Sequence, residues 1–123
     1  MSDHQPTTNR DSLVALTSAV DGFRDERDWH QFNNAKDMAL SISLEAAELL
    51  EVFQWKTAEA AVAEHHAELL EELADVLIYS LELASDLCVH PGDIILAKLA
   101  KNAEKYPVDA ARGNAKKYTE LGE

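Results

Sequence analysis

The sequence of 123 residues is poor in the residues that form turns and covalent cross-links, with 4 glycines, 3 prolines and one cysteine. A lone cysteine cannot form a disulfide within the chain, which favours a reducing, cytoplasmic setting. No apolar run approaches the ~20 residues that a membrane-spanning helix needs, and the polar N-terminus lacks the apolar core of a signal peptide. We therefore expect a cytoplasmic protein that is neither exported nor embedded in a membrane.

The shortage of turn residues also bears on the fold class. Ala, Leu and Glu dominate the sequence and hydrophobic residues make up 46% of it, a composition that favours an all-α fold over β-sheets. At this length one domain is expected, and we assign residues 11–121 to a single all-α domain after a disordered tail at 1–10. Hydrophobic periodicity predicts a four-helix bundle, with helices near residues 12–27, 35–56, 59–89 and 91–105.

Capping residues and apolar stripes define these helices. Ser12 or Asp11 would cap the first helix, Asn34 with Asp37 the second, and Pro91 suits the first turn of the last. From Leu69 onward the long third helix is apolar nearly all round, which is typical of the middle of a bundle or of a subunit interface. The predicted inward stripes are Leu13, Leu16, Val20 and Phe23, then Met38, Ile42, Leu49 and Val52, and finally Ile94, Ile95, Leu96 and Leu99.

Charge is distributed unevenly along the chain. The formal net charge of −12 argues against a nucleic-acid or anionic-membrane partner. No Lys or Arg occurs between Thr57 and Ala97, whereas six follow between Lys98 and Lys117. Such an acidic block before a basic one is consistent with metal ligands plus groups for an anionic substrate, and equally with solvated helix faces whose charges pair.

Two acidic pairs carry the strongest functional signal. Glu45 and Glu48 are spaced i, i+3, as are Glu72 and Asp75, so each pair lies on one face of a helix within an apolar run. Buried carboxylates that face one another need a compensating cation. Four carboxylates without a histidine favour a hard ion, Mg²⁺ or alternatively Mn²⁺. Either pair alone would more often be surface charge, and a di-iron bundle is disfavoured because no Glu-x-x-His pair is present.

Aromatic and basic residues suggest what such a metal would act on. Trp29 and Trp55 each flank a helix end, where they would either pack or stack on a nucleobase. A second polar group, on the last predicted helix and at its end, would either be solvated or meet phosphate: Lys98, Asn102, Lys105 and Tyr106. No histidine forms a constellation with Ser or Cys that would indicate covalent catalysis.

These motifs resemble a known family. The acidic pairs E45-A-A-E48 and E72-L-A-D75 are similar to the metal motif of the MazG-like, all-α nucleoside triphosphate pyrophosphohydrolases. The resemblance is strongest to the dCTP pyrophosphatase branch, covers about residues 13–121 and is carried by five segments in order: FRDERDWHQFNN, LEAAELLEVFQW, EELADVLIY, KLAKNAEKYP and RGNAKKYTEL. Val20 is a departure, because a polar side chain is expected there in cytosine-preferring relatives, and it puts strict cytosine specificity in doubt.

The resemblance implies Mg²⁺-dependent hydrolysis of (deoxy)nucleoside triphosphates, such as dCTP or modified dCTP-like nucleotides, to monophosphate and pyrophosphate. By position, Glu45, Glu48, Glu72 and Asp75 would be metal ligands. We also expect one carboxylate that the metal does not saturate, Glu48, to orient or deprotonate the attacking water. Trp29 and Trp55 would hold the base. Lys98, Asn102, Lys105 and Tyr106 would contact phosphate or sugar. The resemblance also implies a homo-oligomer, typically a tetramer, that completes the bundle; the alternative function is a non-catalytic helical module for nucleotide binding or assembly.

Overall fold

A computed structural model describes residues 10–121, so all of the predicted tail except Arg10 lies outside the described residues. Regular structure in this range is entirely α-helical, which confirms the predicted fold class. None of the described helices combines the length and apolar character that crossing a bilayer requires. The helices are α1 (Leu13–Glu26), α2 (Ala35–Glu51), α3 (Ala58–Glu64), α4 (His66–Asp86), α5 (Pro91–Lys105) and α6 (Val108–Ala111).

The helix starts follow the predicted capping residues. Ser12 Oγ accepts a hydrogen bond from the Ala15 amide at 3.2 Å at the start of α1. At α2, Asn34 Oδ1 accepts from the Asp37 amide at 2.9 Å, and Asp37 Oδ2 accepts from the Asn34 amide at 3.2 Å, which completes a capping box. Pro91 is the first residue of α5, as predicted. These local interactions satisfy amides that the first helical turn leaves without partners.

The predicted end of the second helix is wrong by five residues, because α2 ends at Glu51. A tighter turn follows, in which the amides of Val52, Phe53 and Gln54 each donate a hydrogen bond to the carbonyl three residues back. Trp55 has φ of 62°, a left-handed conformation that a non-glycine residue adopts at a cost of roughly 1 kcal/mol. This turn separates α2 from α3 without any glycine or proline.

The single long helix predicted for residues 59–89 is also wrong, because it is divided into α3 and α4 at His65. His65 has φ of −120° and ψ of 30°, outside the helical region. Its amide still donates to Ala61 and its carbonyl still accepts from Leu69, so the hydrogen bonding of the two helices is nearly continuous.

The described chain forms two compact units that meet in sequence at Val89 and His90. In the first unit, α1 and α2 pack against α4, and α3 precedes α4 directly in the chain. Its fully or nearly fully buried apolar side chains are few: Met38, Val52, Ala61 and Ala84. The second unit contains α5 and α6. The assignment of residues 11–121 to one domain stays a prediction.

The predicted stripes are only partly buried. In α2, Met38 is buried, Ile42 and Leu49 are half-buried, and Val52 just beyond the helix is buried, as expected. In α1, Leu16 and Val20 are also half-buried, but Leu13 and Phe23 are exposed and the buried side chain is Arg24. The α5 stripe is wrong as an inward face, because Ile94, Ile95, Leu96 and Leu99 are 49–67% exposed. Hydrophobic periodicity identifies an apolar face but not what covers it.

Candidate active site

Three of the four predicted metal ligands meet where α2 packs against α4. Glu45 of α2 and Glu72 and Asp75 of α4 each present one carboxylate oxygen, and these three oxygens lie within 4.8 Å of one another. All three residues are half-buried. The i, i+3 spacing in α4 puts Glu72 and Asp75 on the face that α2 covers. We refer to these three residues as the acidic cluster.

Two oxygen atoms of the acidic cluster are buried without compensation. Glu45 Oε2 and Glu72 Oε2 have almost no solvent exposure and no hydrogen-bond partner among residues 10–121. Buried polar atoms in folded proteins nearly always have a partner, so such orphaned oxygens require an explanation. A cation between them would provide one.

The negative charges of the acidic cluster also call for a cation. Burial, followed by the neighbouring acids Glu48, Asp75 and Glu72, raises the pKa of Glu45 from 4.5 to about 7. Burial and then Glu48 also raise the pKa of Glu72, and Glu45 partly opposes this rise. Like charges in a poorly hydrated site disfavour ionisation. An all-oxygen donor set with excess negative charge fits a hard divalent cation.

Glu48, the fourth predicted ligand, is exposed and is not one of the three residues whose oxygens converge. It is nevertheless close enough to raise the pKa of both Glu45 and Glu72. The structure therefore places Glu48 at the rim of the acidic cluster, with a carboxylate that water can reach.

A cavity of about 510 Å³ adjoins the acidic cluster, and Asp75 belongs to both. Its volume lies in the range of small-molecule sites, roughly 300–1,000 Å³. Trp29 lines it and packs edge-to-face on Phe23, with ring centroids 5.6 Å apart. The remaining lining residues are mostly apolar side chains of α1 and α4, with a few polar groups: Leu16, Ala19, Val20, Arg24, Asn33, Ile78, Tyr79 and Glu82.

Two residues of the cavity wall, Arg24 and Glu82, belong to an ionic network that the sequence did not reveal. Arg24 is 2% exposed, and its Nη1 and Nη2 donate to the two carboxylate oxygens of Asp86 at 3.1 and 3.2 Å. Asp21 Oδ1 lies 3.8 Å from Arg24 Nη1, and Asp21 Oδ2 accepts from Ser85 Oγ at 2.7 Å. Burial raises the pKa of Glu82, the third acid, while Arg24 opposes that rise.

A pattern in α4 would have indicated this network. Asp75, Tyr79, Glu82 and Asp86 follow one another at steps of four, three and four residues, which places them along one helix face. Asp21 and Arg24 have the same relation in α1, at i, i+3. The spacing identifies the two faces, but only the packing of α1 on α4 pairs them.

The other predicted binding residues are divided between the two units of the chain. Trp29 lines the cavity, whereas Trp55 is 94% exposed and is not part of the cavity wall. Lys98, Asn102 and Lys105 lie on α5, and Tyr106 ends that helix, all in the second unit. Within that unit, Lys105 Nζ lies 4.8 Å from the Tyr118 ring centroid, and the Tyr106 and Tyr118 rings are 6.2 Å apart.

Known proteins resemble this chain in sequence and structure. The proteins named dCTP pyrophosphatase 1 from Mus musculus and Homo sapiens are each 40% identical to it over 104 residues, which is 80% of this chain. The chain spans about 61% of the length of these relatives. The crystal structure of a pyrophosphatase from Archaeoglobus fulgidus superposes with a TM-score of 0.73 at 35% identity, covering 87% of this chain and 99% of that one.

The family model that matches the sequence is the MazG-like family, over residues 40–121. This range contains all three residues of the acidic cluster, together with Glu48 and the whole of α5. The match covers more than half of the sequence, and the chain belongs to the MazG-like family.

Proposed function

We propose that this protein hydrolyses (deoxy)nucleoside triphosphates, with dCTP or modified dCTP-like nucleotides as substrates, to monophosphate and pyrophosphate. The observation that carries the proposal is an acidic cluster with two orphaned oxygens beside a cavity of nucleoside size. The names of the mammalian relatives and of the archaeal structural neighbour support the same reaction. Such an enzyme removes nucleotides from the cellular pool.

Glu45, Glu72 and Asp75 are the residues that would hold the metal ion, with Glu48 as a fourth ligand from the rim. Their oxygen-only donor set fits Mg²⁺, with Mn²⁺ as the alternative. The ion would supply Lewis-acid polarisation of phosphate oxygens and neutralise charge on the leaving pyrophosphate.

The chain's own residues then have distinct tasks. The base would enter the cavity and contact the Trp29 ring, which keeps about half of its surface exposed, at 47%. Because Asp75 is shared between cavity and cluster, a nucleoside in the cavity would have its phosphates directed toward the acids. Glu48, exposed at the rim, would orient the attacking water and accept its proton. Family resemblance supports phosphate or sugar contacts by Lys98, Asn102, Lys105 and Tyr106, and a base contact by Trp55.

We also propose that the enzyme is a homo-oligomer, as a tetramer, in the cytoplasm. Large apolar side chains on α2 and α4 remain exposed in the single chain, an arrangement that marks interaction surfaces. They are Leu40, Leu44, Leu70, Leu73 and Leu77, with exposures between 45% and 66%. The negative net charge opposes nucleic acid as a partner, and the lone cysteine fits a reducing compartment.

A non-catalytic assembly module is the alternative, and the buried acids disfavour it. A scaffold gains nothing from orphaned carboxylate oxygens, which cost stability unless a cation compensates them. Exposed glutamates would serve a binding surface equally well.

The experiment is a panel of nucleoside triphosphates assayed for pyrophosphate release with Mg²⁺ and with a chelator. We expect release that requires Mg²⁺, loss of at least a hundredfold in kcat/KM in Glu72→Gln, and normal turnover in Glu64→Gln, a change at an exposed residue of α3. Turnover that survives both the chelator and Glu72→Gln would contradict the metal site. Absence of pyrophosphate release from every nucleotide would contradict the function itself.

A further inference from the structure

Glu82 is a nearly buried carboxyl group that the acidic cluster does not use. Its side chain is 9% exposed, yet it lines the cavity. Within residues 10–121 it makes no hydrogen bond, and its one ion pair is to Arg24 Nε at 4.0 Å, which is longer than a hydrogen bond. A carboxyl group so placed is open to a ligand in the cavity and to little else.

The Arg24 guanidinium group does not compensate the carboxyl group of Glu82. Asp86 already engages two nitrogens of the guanidinium group in a bidentate pair, and Asp21 is a further counter-charge at 3.8 Å. Three carboxyl groups therefore surround one guanidinium group, so negative charge exceeds positive charge around Arg24. A buried carboxyl group without hydrogen bonds is destabilising, so its presence in a cavity wall indicates a partner that arrives with the ligand.

The rest of the cavity wall indicates which kind of ligand group Glu82 would bind. Most side chains of the cavity wall are apolar or aromatic, as with Leu16, Val20 and Ile78. The Arg24 guanidinium group is held by Asp86, and Asp75 belongs to the acidic cluster. An ionised carboxylate offers hydrogen-bond acceptors only, so the group that it recognises must be an N–H or O–H donor.

We propose that Glu82 is a specificity-determining residue that accepts a hydrogen bond from an exocyclic amine of the nucleobase. This inference rests on the proposed function and deepens it. A base such as cytosine presents an N–H donor to a carboxylate, as it does in the glutamate contacts of nucleic-acid recognition. Uracil has a carbonyl oxygen at the same position, which would face the carboxylate with no proton between them. The enzyme would discriminate against uracil because the buried Glu82 carboxylate would then have no hydrogen-bond donor.

The test compares kcat/KM for dCTP and dUTP, which differ at that position, with Mg²⁺ at pH 8. Glu82→Met keeps the length of the side chain but removes its acceptors, and we expect the dCTP/dUTP ratio to fall roughly tenfold or more. Glu82→Gln adds an N–H donor, and we expect a lower ratio through gain of dUTP hydrolysis. If Glu82→Met does not fold, Glu82→Gln decides.

Glu64→Met, the same change at an exposed residue of α3, is the control and should keep the wild-type ratio. A purely structural role for Glu82 would lower activity on both nucleotides together and leave the ratio within twofold, which would overturn the inference. A hydrolytic wild type without preference for dCTP would also overturn it, while the proposed function stands. A wild type that releases pyrophosphate from no nucleotide would overturn both.

Discussion

Replacing Arg24 by Met removes the positive charge at the centre of the ionic network that borders the cavity. Arg24 is 2% exposed, so the change leaves Asp86, Asp21 and Glu82 facing one another without a counter-charge. Met has a similar apolar length and fills most of the space, which limits the contribution of an empty cavity. The perturbation is therefore chiefly electrostatic.

The size of the effect follows from the geometry. Breaking a buried ion pair by removal of one partner costs about 3–5 kcal/mol, because the other charge stays buried. The Asp86 side chain retains 22% exposure and the Asp21 side chain 28%, so solvent screens part of their repulsion and we take the lower end, about 3 kcal/mol. For a chain of this length that corresponds to a fall in melting temperature of roughly 10 °C.

Thermal unfolding at fixed protein concentration measures this effect, with Arg27→Met as the matched control on the same stretch of chain. Arg27 is 41% exposed and lies over the Phe23 ring at 3.7 Å, so its replacement should cost about 1 kcal/mol or less. Arg24 opposes the rise that burial causes in the pKa of Glu82, so without Arg24 that pKa should rise further and the loss should shrink as pH falls toward 4. Equal effects of the two substitutions at pH 7 would refute the electrostatic interpretation.

Three further predictions concern the candidate active site. The raised pKa of Glu45, about 7, means that this group favours the fold below pH 4.5 and loses that contribution as pH rises through 7, so Mg²⁺ should raise the melting temperature more at pH 8 than at pH 5. Trp29→Ala should raise KM for the nucleotide roughly tenfold in steady-state kinetics, with little change in Mg²⁺ affinity, because one stacking contact is lost. Glu48→Gln should lower kcat by roughly a hundredfold or more at an unchanged melting temperature, and a normal kcat would remove its role with water.

Helix starts were predictable because their signals are local. Ser12 and Asn34 cap the helices that immediately follow them, and Asp37 is only three residues from Asn34. Helix ends were harder to predict, because the turn that holds Trp55 and the break at His65 contain no glycine or proline. Their positions depend on the tertiary structure, which a local pattern does not encode.

The acidic cluster was predictable for a related reason. Glu72 and Asp75 are neighbours on one helix, and only one packing contact, between α2 and α4, is needed to bring Glu45 to them. The Arg24–Asp86 pair joins residues 62 positions apart, and periodicity suggested an apolar interior for α1 instead. Long-range ion pairs of this kind require the tertiary structure.

Calorimetric titration with Mg²⁺ at pH 8 tests the central claim, that Glu45, Glu72 and Asp75 form a divalent-cation site. The wild-type protein should bind Mg²⁺, and Glu45→Gln and Glu72→Gln should each weaken binding at least tenfold, whereas Glu64→Gln should not. Equal Mg²⁺ affinity in all four proteins would contradict the site, and with it the proposed hydrolysis.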